Sequence, residues 1–423
     1  MAIPQPIKTM RVILFEDQKA ADLYPASLAR PTAMIPCGGY RLEELVQFLD
    51  LPVIHAPRHY LRGIGPAVDL QRLAHEGDDY HLFINGRIVP NQVTLEHLKK
   101  WVAMPEPGIV AEHDALLAAL VPSDLLAKDD LEAENLAEMV SQKKIPRREI
   151  SLHSFDFPHQ IIQQHLECLT TNLAHRTQYN EYDQPVNGLF LAPGASMDPT
   201  ATYDLSDGMI VIERDARVGP HAHLQGPMLL GSKSVVQSHA SIGPHVVAEN
   251  NCKLGGEISC SIIAAYSNKS HFGFLGHSYL GSWVNLGAGT TNSNLKNTYG
   301  EIHVDKGDRR IATGMQFLGC LIGDHTKTAI GTHIFTGKTI GMCSMLYGTV
   351  AENVPSFVNY AKQFGKLTAV SPAAAATIQA RTFARRGIIQ TPDDLNLLND
   401  LYNRTQSDRE HFSSKLPVEP LVL

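Results

Sequence analysis

The chain has 423 residues, of which 43% are hydrophobic and 19% charged. That composition supports two or three packed domains and excludes a disordered chain. Lysine and arginine number 36 against 43 acidic residues, a net charge of −7. Nucleic-acid binders normally carry a basic surplus, so that class is disfavoured. Cys37, Cys168, Cys252, Cys260, Cys320 and Cys343 are scattered with no C-x-x-C spacing, so neither a disulfide framework nor a structural zinc site is expected, and a reducing cytoplasm fits.

The N-terminal stretch has Pro4, Pro6 and only a short apolar run before Glu16, and it does not read as a signal peptide. Val12–Phe15 and His81–Ile84 read as strands, the second ending at an Asn85-Gly86 turn. Ile109–Ala111 reads as a third strand. Arg41–Leu49 and Asp114–Leu120 have helical spacing, with acidic helical segments over 123–142. Strands alternating with helices predict a parallel or mixed sheet. Pro158–His175 reads as an amphipathic helix linking two halves. No stretch is long and apolar enough to span a membrane.

From about residue 208 the pattern changes. Ile212, Val218, Leu224, Leu230, Val236, Ile242, Ala248 and Leu254 fall six apart, and all are apolar. Eight such hits in a chain that is 43% hydrophobic have a chance of about one in a thousand at one phase, and about one in a hundred over six phases. Glycine follows at Gly219, Gly231, Gly243 and Gly255, where its tolerance of positive φ suits a corner. The phase slips, then resumes at Ile262, Phe274, Leu280 and Leu286, and again at Ile322, Thr328, Ile334, Ile340 and Leu346. A period of six is the hexapeptide signature of a parallel β-helix: three short strands per coil, one apolar side chain per strand pointing inward. Coils stack at about 4.8 Å, which would set His221 over His239, eighteen residues apart. The polar stretch Thr291–Arg310 interrupts the repeat and reads as a loop thrown out of the prism. Ala373–Arg386 and Pro392–Asn403, with Thr391 as a helix start, read as helices capping the last coil. The divisions expected are 1–150 (α/β), 151–207 (a linker with a helix), 208–355 (the β-helix) and 356–423 (a helical segment).

The run SHFGFLGHSYLGSWVNLGAGTTNSNL at 270–295 resembles the acyltransferase half of the bifunctional uridyltransferase/acetyltransferases that make UDP-N-acetylglucosamine. RVILFED, LARPTAM, LFINGRIVP, NSNLKNTYGE and IGDHTKTAIGT are similar to a divergent branch, the sugar nucleotidyltransferases with a hexapeptide C-terminus. The resemblance implies a left-handed parallel β-helix behind a nucleotidyltransferase-like α/β domain. It also implies a cytoplasmic homotrimer with acetyl-CoA sites between subunits. The ligands implied are a sugar phosphate with a nucleoside triphosphate, or a sugar nucleotide.

Acetyl transfer to a sugar amine needs a base for the ammonium proton, donors for the oxyanion and a groove for pantetheine. The resemblance places His271 on the family's catalytic histidine, with His277 as the rival. Asn285 and Asn294 fall on positions that contact sugar or acceptor, and Ala288 and Gly289 on the coenzyme A groove. Lys296 is a candidate for the acceptor phosphate, with Lys269, Arg309 and Arg310 nearby. Phe274 stands where the family has a tyrosine. In the front half Arg30 is the candidate phosphate or nucleotide contact. Arg87 stands where the family's aspartate holds Mg²⁺, and a guanidinium repels that ion. Arg87 therefore clamps a phosphate, or the metal is ligated by Asp17 or Asp114, or the half only binds a sugar nucleotide, or Arg87 is a surface hairpin residue.

Overall fold

The computed structural model describes residues 9–61, 78–112, 115–126, 135–306, 309–413 and 418–420. The chain forms two compact units. One comprises the chain up to Leu23, Arg30–Ile35 and Tyr40–Asp156. The other comprises Tyr24–Ala29, Pro36–Gly39 and everything from Phe157.

The front unit is built on strands β1 (Met10–Phe15), β2 (Val53–Ala56), β3 (Tyr80–Asn85), β4 (Gly108–Glu112) and β5 (Ala115–Pro122), in the order β2-β1-β3-β5-β4. β1 is parallel to β2 and β3, whereas β5 runs antiparallel to β3 and β4. The sheet is mixed, one of the two arrangements, parallel or mixed, that the alternation predicts. Its helices among the described residues are α1 (Leu42–Leu45), α2 (Gln92–Ala103) and α3 (Leu136–Ser141). Alternate residues of β1 and β3 face opposite sides. Val12, Leu14, Leu82 and Ile84 pack on Leu95, Leu98 and Trp101 of α2. Ile13, Phe15 and Phe83 pack on Leu136 and Val140 of α3.

The helix expected at Asp114–Leu120 is a strand from Ala115 onward, with Asp114 outside the described residues. Leu116 to Val121 are all buried. A short apolar run between turn signals fits a doubly covered strand as well as a helix, and pairing with β3 and β4 outweighs the helix preference of its alanines. Of the acidic segment 123–142, residues 127–134 lie outside the described residues.

The second unit is a parallel β-solenoid. It opens at Leu189–Leu191, which pairs with Ile210–Ile212 a coil later, so the coils begin ahead of residue 208. Its longest sheet stacks Ile210–Ile212, Met228–Leu230, Val246–Ala248, Ser261–Ile263, Tyr279–Leu280, Cys320–Ile322 and Lys338–Ile340. The eight residues from Ile212 to Leu254 all point into one buried core. Helix α4 (His159–Tyr179) lies along the outside of this sheet, where its Leu169 and Leu173 meet Val211, Leu229 and Val247.

Two expectations about the repeat are corrected. After Leu254 the inward residues are Ile258, Ile263, Leu275 and Leu280, not Ile262 and Phe274. One coil has shortened: Ala248 pairs with Ile263 and Leu254 with Lys269, each fifteen residues on. Of the four trailing glycines only Gly243 has positive φ, +116°; Gly219, Gly231 and Gly255 serve close approach instead. A Cβ on Gly231 would sit 2.5 Å from the Glu249 carbonyl carbon, and one on Gly255 would sit 2.2 Å from the Ser270 oxygen. Positive φ also falls two residues after Gly219, Gly231 and Gly243, at His221, Lys233 and His245, and at the equivalent His239. His221 and His239 do stack, with ring centroids 5.0 Å apart.

The excursion after Asn292 is partly ordered into a two-stranded ribbon, His303–Lys306 against Arg309–Ala312. Past the last coil, Val358–Ala361 forms an antiparallel pair with Lys366–Ala369. Three helices follow: α5 (Pro372–Ala384), α6 (Pro392–Arg404) and α7 (Gln406–Ser413). Thr391 and Asp394 form the expected capping box. The capping expectation holds only in part. Phe412 of α7 joins the solenoid core beside Tyr360. Helix α5 lies on a side corner instead, where Phe383 contacts the stacked Tyr266–Trp283 pair at Trp283. All six cysteines are free thiols. Among the described residues no helix is long and apolar enough to cross a membrane.

Candidate functional site

Strand Phe274–Gly276 carries a histidine at each end. His271 lies on the corner before it and is exposed. Its backbone oxygen accepts a 2.6 Å hydrogen bond from Lys269 Nζ. Lys269 is the residue the shortened coil turns inward, opposite Leu254, and it is 1% exposed. Its ammonium also donates to the Gly255 carbonyl. Burial pushes its pKa down to about 8. Lys269 thus fastens the corner that bears His271, and its charge is spent inside the prism.

His277 ends the strand with φ +49°. Its Nδ1 lies 2.9 Å from Asn294 Nδ2, and its ring stacks on Phe317. An amide nitrogen only donates, so Nδ1 accepts and the ring proton sits on Nε2. Burial, with the nearby His245, lowers its pKa to about 4. His277 is neutral near pH 7 and offers a donor at Nε2. The structure therefore pairs Asn294 with the rival histidine. Six residues of extended chain separate that histidine from His271, roughly 20 Å at most.

Asn285 lies on another face. It bridges Asn268 and Lys327 in the backbone ladder, and its Oδ1 accepts from Asn268 Nδ2 at 3.4 Å. Lys296 donates to the Glu301 carbonyl and closes the base of the ribbon, while Arg309 and Arg310 are exposed on that ribbon. Ala288 and Gly289 sit on the corner one coil beyond His271. Gly289, at φ +76°, faces the Phe272 ring at 3.3 Å from where a Cβ would lie. Gly331 follows with nothing within 4 Å of such a Cβ. Phe272 and Ile330 are 70% and 78% exposed. The corner thus offers a bare backbone strip between two apolar side chains. Phe317 was not legible as a site residue, because it meets His277 only after the excursion closes.

In the front unit the ends of β1 and β3 bring Glu16, Asp17, Asn85 and Arg87 together. Arg87 is 0% exposed and grips Asp17 with two parallel bonds, Nε to Oδ1 at 2.8 Å and Nη2 to Oδ2 at 2.6 Å. Its Nη1 donates to the Phe155 carbonyl and to Asp156 Oδ1. Arg87 is therefore neither a surface hairpin residue nor an open phosphate clamp: protein acceptors occupy both arms of its fork. Burial raises the Asp17 pKa, but bonding and charge from Arg87 outweigh it, and the net shift is downward. Glu16 accepts from the Thr32 and Arg58 backbone N–H groups and from Arg58 Nε. Arg30 is 7% exposed, and its carbonyl accepts from Arg58. The described carboxylates here offer magnesium no open set of oxygens, and Asp114 lies outside the described residues. Among the described residues no group of three or more His, Cys, Asp or Glu is placed to hold a metal ion.

Residues 12–180 match the family of sugar nucleotidyl transferases. Two relatives carry the comparison further. A bifunctional sugar-1-phosphate nucleotidylyltransferase/acetyltransferase of Sulfurisphaera tokodaii is 31% identical over 148 residues, 34% of this chain and 37% of that protein. The bifunctional protein GlmU of Desulfitobacterium hafniense is 27% identical over 188 residues, 40% of this chain and 37% of that protein. The matched stretch thus spans little more than a third of either relative's length. The crystal structure of a UDP-N-acetylglucosamine acyltransferase from Francisella novicida overlaps 54% of this chain and 86% of its own. Its identity is 14% and its TM-score 0.23, too low to bear on fold or function.

Proposed function

We propose that the protein is a transferase of sugar-nucleotide metabolism with two working parts. The solenoid moves an acetyl group from acetyl-CoA to the amine of an amino sugar phosphate. The front unit takes a sugar-1-phosphate with a nucleoside triphosphate, or the sugar nucleotide itself, with UDP-N-acetylglucosamine as the product envisaged. The observation that carries the solenoid reading is the corner itself: an exposed histidine, fastened from below by Lys269, one coil from the bare strip at Ala288, Gly289 and Gly331.

His271 takes the proton from the substrate ammonium, because only the free amine attacks a thioester. The amine adds to the carbonyl, the tetrahedral oxyanion collapses with cleavage of the C–S bond, and the proton the nitrogen loses passes to the departing thiolate, giving the amide and free coenzyme A thiol. His277 does not serve as this base, since its Nδ1 is occupied and its Nε2 holds a proton. The apolar flanks Phe272 and Ile330 suit a pantetheine chain, or a second copy of the chain closing over it in a cytoplasmic homotrimer. Light scattering on the purified protein tests the trimer.

The enzymatic test follows free thiol with acetyl-CoA and glucosamine-1-phosphate. His271→Ala should lower the rate by about 10²–10⁴-fold. No thiol release with any amino sugar phosphate, together with no coenzyme A binding by calorimetry, would remove the solenoid reading. A second reading, a binding or regulatory protein without turnover, is favoured for the front unit by the Arg87–Asp17 pair. Pyrophosphate release from UTP or dTTP with a sugar-1-phosphate separates the two.

A further inference from the structure

We infer that Arg87 takes the place of a divalent cation at the ends of β1 and β3, so that the front unit holds its phosphorylated ligand without a metal. The inference rests on the front-unit reading above. The charges balance internally. Asp17 and Asp156 are met by Arg87 and Lys19, and Glu16 is met by Arg58. The oxygens are spent as well. Both Asp17 oxygens face the guanidinium, and Oδ2 also accepts from Asn85 Nδ2. Both Glu16 oxygens accept from N–H groups. Asp156 Oδ1 is shared by Arg87 and Lys19. Magnesium demands a near-octahedral set of oxygens. To assemble one here it would have to expel a guanidinium that is 0% exposed and strand its charge in the protein.

A phosphate meets no such barrier. Lys19 and Asp156 form the exposed end of the network, with side chains 46% and 41% accessible. An exposed ion pair of this kind is weak, so an incoming phosphate can take the Lys19 ammonium while the Arg87–Asp17 pair stays closed beneath it.

Mn²⁺ electron paramagnetic resonance on the full-length protein reads the metal without relying on activity. The wild type should leave the free Mn²⁺ signal undiminished. Arg87→Ala, folded by circular dichroism, should remove one equivalent, because Asp17 and Asn85 then lose the buried guanidinium and Asp156 keeps only its weak, exposed pairing with Lys19. A wild type that binds one equivalent, lost in Asp17→Asn, overturns the inference, and so does a folded Arg87→Ala that binds none. Should Arg87→Ala fail to fold, the wild-type result decides alone. In a second arm, UTP is titrated by calorimetry in EDTA. Retained binding supports a metal-free site, and binding restored only by MgCl₂ overturns it. UTP that binds in neither buffer sinks the front-unit reading and leaves the Mn²⁺ result to judge this inference.

Discussion

Protonating His165 should unfasten the second unit. The residue sits on α4 with 0% exposure, and both ring nitrogens are engaged. Nδ1 accepts from the Gly38 N–H at 3.1 Å, and Nε2 donates to the His245 carbonyl at 3.0 Å. A second proton would have to go on Nδ1, facing a donor. Burial pushes the pKa down from 6.5 to about 4. The unfolded chain therefore binds a proton below pH 6.5 that the folded chain refuses until about pH 4. Stability is complete above pH 6.5 and falls as pH drops through that window. Integrated from pH 8 to pH 5, the loss is about 2 kcal/mol. Urea midpoints at those two pH values, for wild type and for His165→Gln, measure it. Glutamine offers an acceptor and a donor but does not titrate, so the variant should lose about 2 kcal/mol less on acidification, whatever its starting stability. Parallel losses in the two proteins would refute the argument.

Three further outcomes follow from the packing. Gly231→Ala forces a Cβ to 2.5 Å from backbone and should cost about 1–3 kcal/mol, whereas Gly331→Ala meets nothing within 4 Å and pays only for φ +65°, about 1 kcal/mol. Melting temperatures should therefore fall in the order wild type, Gly331→Ala, Gly231→Ala, and the reverse order of the two variants would contradict the close-approach account. Asp17→Ala leaves Arg87 buried without its two-bond partner and should cost about 3 kcal/mol by urea unfolding; Asp156→Ala, at the exposed end, should cost less than about 1 kcal/mol, and equal costs would argue against the hierarchy. Lys269 and Lys327 are both held down to about 8 by burial, so the folded protein sheds protons between pH 8 and 10.5 that the unfolded chain keeps, and stability should rise with pH across that window. Lys269→Met should flatten part of the rise in urea midpoints, and an unchanged rise would show that this lysine does not contribute.

The candidate site was only partly legible. The motif around 270–295 put His271, Ala288 and Gly289 on adjoining corners, because hexapeptide spacing fixes which residues reach a corner. It did not predict that Asn294 would bond His277, since that contact joins side chains seventeen residues apart on successive coils. Nor did it show Lys269 turning inward. A lysine in an apolar column becomes visible only once the fifteen-residue coil is counted from the pairing with Leu254. Arg87 could be flagged from sequence as a cation where a carboxylate was expected, but its partners lie seventy residues upstream and nearly seventy downstream.

Local pattern alone settled the solenoid, its eight core residues from Ile212 to Leu254 and the start of α6 at Thr391, and it narrowed the front sheet to parallel or mixed. Each of these depends on periodicity or on a cap within a few residues, and such signals survive without knowledge of neighbours. Tertiary structure decided that Ala115–Pro122 is a strand, that the repeat glycines answer to the backbone of an adjoining coil, and that Arg87 is consumed by Asp17. Those outcomes turn on which distant backbone or charge arrives beside a residue. Burial then converts that adjacency into free energy, by excluding water from the sheet, the corner and the ion pair.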